Sequence, residues 1–398
     1  MWIQRTFEHT WRPESGQPVS VLLGPRQSGK SSFLERRAGP SRRAVSFDDL
    51  STRARASENP ALFLDELGPE VLIDEAQYVP ELFPELKIRV DAVKRRTRAG
   101  SPGPSFSAWL TGSNRLVLDR EVAESLTGRA SYFRFHGLSV AELAASLGKP
   151  TLADLFSLGG FPELWTSRQL DPVRYLNDHL QTALERDLVR AARIEKVPEF
   201  LRVLRLLASR VGGLFVASEL GRDAGIRSST VTDWVGAVER MMYLIEVPAF
   251  TTSRTTRLIK AAKYYFFDTA LAARLQGWSQ PEPLLNSPAV GPLFENLVVA
   301  EVAKTRDAHQ RSWELSHFRT KEKEEVDLLV SDGTRLVAIE CKLSSRRAAE
   351  VTPPRSLSLL GPLPFLAVCF DAPPSARGQV EVVQLSKLGP RLLELLSG

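Results

Sequence analysis

Between residues 17 and 140 the chain alternates short apolar or β-branched runs (SVLLG, RAVSFDD, EVLIDE, SAWLTGS, SYFRFHGLS) with stretches whose apolar residues recur at helical spacing. Strands alternating with helices predict an α/β unit built on a parallel sheet. From about residue 140 to 275 the helical periodicity takes over. After residue 292 strand-like runs return as LVAIECKL, PFLAVCFD and GQVEVVQL, which predict a second α/β or α+β unit. Three stretches punctuate this pattern. KRRTRAGSPGPS at 94–105 reads as an exposed basic loop, SQPEPLLNSPAVGP at 279–292 as a linker between units, and TPPRSLSLLGPLP at 352–364 as a connection inside the last unit. No internal repeat is visible.

A chain of 398 residues exceeds one ordinary core, so several domains are expected. Hydrophobic residues at 43% with 25% charged exclude global disorder and suit a globular protein. The two cysteines, Cys341 and Cys369, are too few for a disulfide framework or a cysteine zinc site, and they fit a reducing cytoplasm. The opening MWIQRTFEHTWRPESGQP lacks the apolar core of a signal peptide, and no apolar run reaches the roughly 18 residues of a membrane span. The expectation is a soluble cytoplasmic protein with no membrane partner. A net charge of +5 fits a nucleic-acid partner and an ordinary arginine-rich surface equally well.

GPRQSGKS, residues Gly24, Pro25, Arg26, Gln27, Ser28, Gly29, Lys30 and Ser31, matches the phosphate-binding loop G-x-x-x-x-G-K-[ST]. It follows the apolar run VSVLL and precedes the helical SSFLERR, the setting in which glycines let backbone N–H groups and a helix N-terminus face phosphate oxygens. Lys30 then reaches the β and γ phosphates of ATP, and Ser31 holds Mg²⁺. A glycine turn with an incidental lysine is the bland alternative. VLIDEAQ ends a strand in Asp74 and Glu75, so Asp74 can serve the hydrated Mg²⁺ and Glu75 can polarise the attacking water; an acidic helix cap is the competing reading. SAWLTGSN ends in Ser113 and Asn114, where a polar side chain can orient that water, like the first sensor of AAA+ ATPases. Arg129, before the next strand, can complement phosphate charge in cis or across a subunit boundary, or be a surface arginine.

Taken in order, GPRQSGKS, LIDEAQ, LTGSN, GGFPELW (159–165), LERDLVR (184–190), YYFFDTALAARLQG (264–277) and GPLFENLVVAE (291–301) give the chain a resemblance to prokaryotic AAA+-like ATPases that carry the C-terminal domain DUF4143. The resemblance implies ATP binding, a helical lid, a winged-helix segment and a nuclease-like tail. Asn114 stands where such proteins often have serine.

Residues 198–250 read as a helix, a short strand and a helix-turn-helix. Ser228 is the expected N-cap of the second helix, with Ser229, Thr230 and Thr232 early in it, where DNA contacts fall. Val231, Val235, Val238 and Met242 should pack inward. TTSRTTRLIK, with Arg254, Arg257 and Lys260, would form the wing; protein interaction is the other use of such a module.

EVDLLV and RLVAIECK predict a hairpin closed by the Asp-Gly turn SDGT. Glu340 and Lys342 lie two apart and share a face, and Asp327 can meet them from the partner strand. Two carboxylates buried together call for a cation or protonation, and a divalent metal, Mg²⁺ or Mn²⁺, satisfies that need, with Glu295 as a candidate fourth member beside Asp327, Glu340 and Lys342. This D…E-x-K arrangement resembles the PD-(D/E)xK nuclease fold, with Lys342 stabilising developing charge. A salt-bridged sheet edge, or a nuclease fold that only binds, are the alternatives.

The expected architecture is therefore α/β: a P-loop AAA+-like NTPase core (1–140), a helical lid (141–197), a winged-helix segment (198–278), a linker (279–292) and a PD-(D/E)xK-like α/β domain (293–398). Such a chain binds and hydrolyses ATP and acts on DNA. The alternative is a nucleotide-dependent switch or scaffold whose tail binds a partner without cutting. A homo-oligomer or a protein partner is compatible with both.

Overall fold

The computed structural model describes residues 1–13, 16–101, 105–112, 125–167, 169–189, 192, 194–250, 261–320, 324–371, 375–377 and 380–396, with the backbone alone at 184–187 and 375–377. The first unit is a parallel sheet of β1 (Val19–Leu23), β2 (Arg43–Ser46), β3 (Glu70–Asp74), β4 (Ser107–Gly112) and β5 (Ala130–Arg134), in the order β2-β3-β4-β1-β5. Each expected strand forms. The continuous apolar runs of β1, β3 and β4 are those of strands covered on both faces, whereas β2 and β5 at the sheet edges are largely exposed or half-buried. Val21, Leu23, Val71, Ile73 and Leu110 enter one apolar cluster, while Leu22, Leu72, Trp109 and Phe133 enter another, built around Phe7, Trp11 and Phe33. The period-two alternation of strand side chains separates these two layers.

The middle of the chain is helical as expected, with helices Val140–Leu147, Leu152–Leu158, Pro162–Thr166 and Pro172–His179 followed by a π-helical stretch, Leu180–Leu188. Next come Val197–Ser209, then Ala217–Ala224 and Ser228–Arg240, and the antiparallel pair β6 (Leu244–Val247) and β7 (Lys263–Phe266). The two helices Ala217–Ala224 and Ser228–Arg240 lie where the sequence predicts a helix-turn-helix, while the short strand expected before them is only an isolated bridge between Leu214 and Lys263. Residues 251–260, including Arg254, Arg257 and Lys260, lie outside the described residues.

The last unit is a mixed sheet in the order β12-β13-β11-β10-β9-β8, made of β8 (Glu314–Arg319), β9 (Glu325–Ser331), β10 (Leu336–Cys341), β11 (Phe365–Cys369), β12 (Ser375–Arg377) and β13 (Val380–Gln384). The predicted hairpin is β9–β10, antiparallel with Leu328 opposite Ile339. Helices Val290–Ala308 and Leu385–Leu396 cover one face. One apolar cluster runs from Leu138 through the middle helices to Leu396, so the segments 138–250, 264–315 and the tail share a core.

Three local expectations are corrected. The basic run at 94–105 is not all loop: the helix Leu82–Arg98 continues through it and stops at Gly100, whose φ of 68° closes a left-handed C-terminal cap. Arginines suit that end because cations complement the exposed carbonyls. The 279–292 stretch folds as well. Pro281, Pro283 and Pro292 fall in the first turns of Pro281–Leu285 and Val290–Ala308, where a missing N–H costs nothing, and Leu284 is buried. Ser228 is the first helical residue rather than the cap; Arg227 holds the cap position, and no side chain caps it.

Candidate functional site

The phosphate loop leaves the carboxyl end of β1 and turns into the helix Lys30–Arg37. Its turns need glycine at two places. A Cβ on Gly24 would lie 1.9 Å from the Phe135 carbonyl oxygen, and Gly29 has φ +90°. Lys30 is buried and donates to the carbonyls of Gly24 (2.9 Å) and Pro25 (2.8 Å), folding its ammonium back over the loop. Burial pushes its pKa down to about 8, partly opposed by the charges of Glu75 and Asp74. A lysine so placed gains strongly from an arriving phosphate.

β4 lies between β1 and β3, which sets Asp74 across from the loop. Ser31 donates to Asp74 Oδ1 at 2.7 Å, and the Thr111 hydroxyl donates to the same oxygen. This hydroxyl and carboxylate are the oxygen donors that Mg²⁺ takes alongside its waters. Glu75, at φ 54°, is turned out of the strand, donates its N–H to Thr111 Oγ1 (3.0 Å) and accepts from the Gln77 amide. It lines a cleft of about 500 Å³ with Arg26, Gln27, Lys30, Ser31, Glu163, Tyr175, Asp178 and His179. The helices Pro162–Thr166 and Pro172–His179 therefore contribute one wall of the cleft beside the phosphate loop. Ser113 and Asn114 lie outside the described residues.

Arg129 is not positioned to meet phosphate in cis. Its carbonyl accepts from Val19 N–H, at the amino ends of the strands, roughly 15 Å of strand away from the loop. Its guanidinium instead grips Asp91 with two bonds, 2.7 and 2.9 Å.

Sequence reasoning missed Arg5. Its buried guanidinium donates to the carbonyl of Ser28 in the phosphate loop (3.0 Å) and to those of His136 (2.5 Å) and Gly137 (3.3 Å), and pairs with Glu142 at 3.3 Å. The signal available was an arginine between apolar Ile3 and Phe7, both buried. From the same region His136 contacts Asp307 (2.7 Å), and Glu301 and Lys304 bond Val140 N–H and the Leu138 carbonyl. The Val290–Ala308 helix of the tail is thus bolted to the ATPase-type core by buried polar groups.

The other end of that helix carries Glu295. The fold brings it near Asp327 and Glu340, as the sequence predicts, with Lys342 Nζ 2.7 Å from Glu340 Oε1 and Cys341 N–H donating to Asp327 Oδ2 at 2.7 Å. Burial, then the charge of Asp327, raises Glu295 to about 7; the same two causes raise Glu340, and burial raises Asp327. Two partners were not anticipated. Lys263 Nζ lies 3.3 Å from Glu295 and 2.7 Å from Glu325, and Tyr265 O–H donates to Glu295 at 2.5 Å. Both come from β7, two residues apart on one face of the strand.

The expected metal set does not fit this arrangement. Among the described residues no group of three or more His, Cys, Asp or Glu is disposed to hold a metal ion. Lys263 sits among the carboxylates and supplies part of the neutralisation that a cation was expected to supply.

With this geometry in place, three family models align along the chain. An AAA domain matches residues 16–144, the domain of unknown function DUF8612 matches 149–282, and the domain of unknown function DUF4143 matches 290–358. The chain thus carries a match to an AAA domain in its first third and a match to the domain DUF4143 toward its C-terminal end. The uncharacterized protein Rv2008c of Mycobacterium tuberculosis and the uncharacterized protein Mb2031c of Mycobacterium bovis are each 29% identical to it over 330 residues, 82% of this chain and 71% of theirs. Among solved structures, the Walker-type ATPase paby2304 of Pyrococcus abyssi aligns with a TM-score of 0.40 and 18% identity, covering 68% of this chain and 93% of its own. The ORC2 protein of Aeropyrum pernix, in complexes with ADPNP and ADP, aligns with a TM-score of 0.35 and 12% identity over 73% and 89%. No helix among the described residues is long and apolar enough to cross a membrane.

Proposed function

We propose that this protein binds and hydrolyses ATP, and that nucleotide state controls a winged-helix unit that touches DNA and a C-terminal unit that binds without cutting. The observation that carries the reading is the single constellation of Lys30, Ser31, Asp74 and Glu75 at the carboxyl ends of β1 and β3. In it, the loop N–H groups and Lys30 bind the β and γ phosphates, Ser31 and Asp74 are the residues that would hold Mg²⁺, and Glu75 takes a proton from water at its carboxylate. Bound Mg²⁺ supplies charge neutralisation between the phosphates. The Thr111 bonds to Asp74 and to Glu75 N–H fix the relative placement of the two carboxylates.

For the winged-helix unit, support comes from exposed Arg227, Ser228, Ser229 and Thr232 at the start of the second helix of the pair, above buried Val231, Val235 and Val238. For the tail, support comes from Lys263 among the carboxylates, which favours a binding module over metal-dependent cleavage by Asp327, Glu340 and Lys342.

The test is ATP binding and turnover by the full chain. Lys30→Ala should lose nucleotide binding, and Glu75→Gln should bind ATP while turning over at least about a hundredfold more slowly; undiminished turnover in both would overturn the assignment. Plasmid and linear DNA incubated with Mg²⁺ or Mn²⁺, with and without ATP, should stay intact. Cleavage that disappears in Lys342→Ala would refute the binding-only tail and establish a nuclease.

A further inference from the structure

The phosphate loop is held from outside by a chain of three side chains. Gln27, at its crest, has φ 58°, a left-handed conformation that side-chain-bearing residues adopt at a penalty. Its Oε1 lies 2.7 Å from His179 Nδ1, and His179 Nε2 lies 3.2 Å from Tyr243 Oη. An amide oxygen only accepts, so Nδ1 carries the proton; Nε2 is then a lone pair and accepts from the tyrosine hydroxyl. The chain has one direction, from Tyr243 through a neutral imidazole to the loop. Burial, together with the positive charges of Arg26 and Lys30, holds the ring in that neutral form, with a pKa of about 4.

The position of His179 is specific as well. It closes the helix Pro172–His179 where the backbone passes into the π-helical stretch Leu180–Leu188, and π turns recur at functional sites because they re-aim side chains. Its ring meets Phe161 edge-on at 4.8 Å and Tyr243 at 5.9 Å, so packing fixes its orientation. Tyr243 precedes β6 of the winged-helix unit. Its neighbour Met242, at φ 63°, is buried in the apolar cluster of the nucleotide-binding sheet, while Tyr243 belongs to the core shared by lid, winged-helix unit and tail.

We propose that His179 is a positioning residue for nucleotide: it holds the phosphate loop in its binding conformation through Gln27 and ties that conformation to the winged-helix unit through Tyr243. The proposal rests on the reading of the loop as an ATP site. Because coupling is reciprocal, a winged-helix unit that stabilises the loop is itself shifted when nucleotide occupies the loop.

The experiment is a fluorescence titration of the full chain with a fluorescent N-methylanthraniloyl ATP in Mg²⁺, with steady-state turnover measured in parallel. His179→Ala should raise the Kd about tenfold, with KM rising in step and kcat falling by less, because the effect lies on the binding conformation. His179→Gln, whose side-chain amide can still donate to Gln27, should regain most of the affinity. Tyr243→Phe keeps the ring and removes only the hydroxyl; it should raise Kd by about threefold, and it guards against a fold lost in the alanine variant. A Kd within about twofold of wild type in both His179→Ala and Tyr243→Phe would overturn the proposal. Lys30→Ala sets the non-binding baseline, and a wild-type chain indistinguishable from it would overturn the ATP reading itself.

Discussion

Removing the Arg5 side chain should cost the fold about 3 kcal/mol. Arg5 and Glu142 pair at 3.3 Å with side chains only 6% exposed, and the same guanidinium serves carbonyls of Ser28, His136 and Gly137 and lies over the Phe135 ring at 4.2 Å. Deleting one partner of a buried ion pair costs roughly 3–5 kcal/mol, because the other charge is left without compensation. Here Glu142 still accepts N–H bonds from Thr6 (2.6 Å) and Ser139 (2.9 Å), which places Arg5→Ala at the lower end of that range. Urea unfolding followed by tryptophan fluorescence reads the change, since Trp11 and Trp109 lie in the apolar cluster beside Phe7. The double variant Arg5→Ala, Glu142→Ala should lose less than the sum of the singles, because no unpaired ion is left behind. A loss below about 1 kcal/mol, or strict additivity, would refute the reasoning that the pair is buried and mutually dependent.

Gly24→Ala should abolish nucleotide binding, since its Cβ would meet the Phe135 carbonyl at 1.9 Å, whereas Gly39→Ala, with nothing within 4 Å, should leave binding and stability unchanged; equal effects would remove the steric argument. ATP binding should be accompanied by proton uptake at pH 8–9 and by little at pH 7, because Lys30 titrates near 8 in the free protein and is held protonated by phosphate. Calorimetry in buffers of different ionisation heat measures it, and uptake independent of pH would place the proton elsewhere. Glu295 titrates near 7 in the fold against an ordinary 4.5, so the folded protein holds the extra proton between those values. Its contribution to stability is complete below about pH 4.5 and gone above about pH 7. Glu295→Gln should therefore flatten the fall in stability across that window, and an unchanged slope would reject the assignment.

The sequence alone determined the local elements and the motifs that sit on them. Parallel strands buried on both faces leave continuous apolar runs, and a phosphate loop needs glycine and lysine within eight residues (Gly24–Ser31), so β1, β3, β4 and the loop could be read from nearby positions. The hairpin with Asp327 and Glu340 was legible for the same reason: alternation and an Asp-Gly turn are local properties.

Only the tertiary structure decided which distant groups meet. Periodicity reports that a face is buried, not what buries it. Hence Arg129 proved to lie at the amino ends of the strands beside Asp91, and a basic stretch expected to be loop continued as helix to Arg98. Arg5 reached the loop from the irregular segment ahead of the short helix Phe7–Thr10, and His179 joined Gln27 to Tyr243 across three segments of chain. Lys263, arriving from β7, set an ammonium beside Glu295 and Glu325 that the sequence reading had not paired with the tail's carboxylates. For Arg5, His179 and Lys263 burial makes an unpaired polar group costly, so its partner is chosen by whatever the packed topology brings within about 3 Å, a distance that sequence separation does not encode.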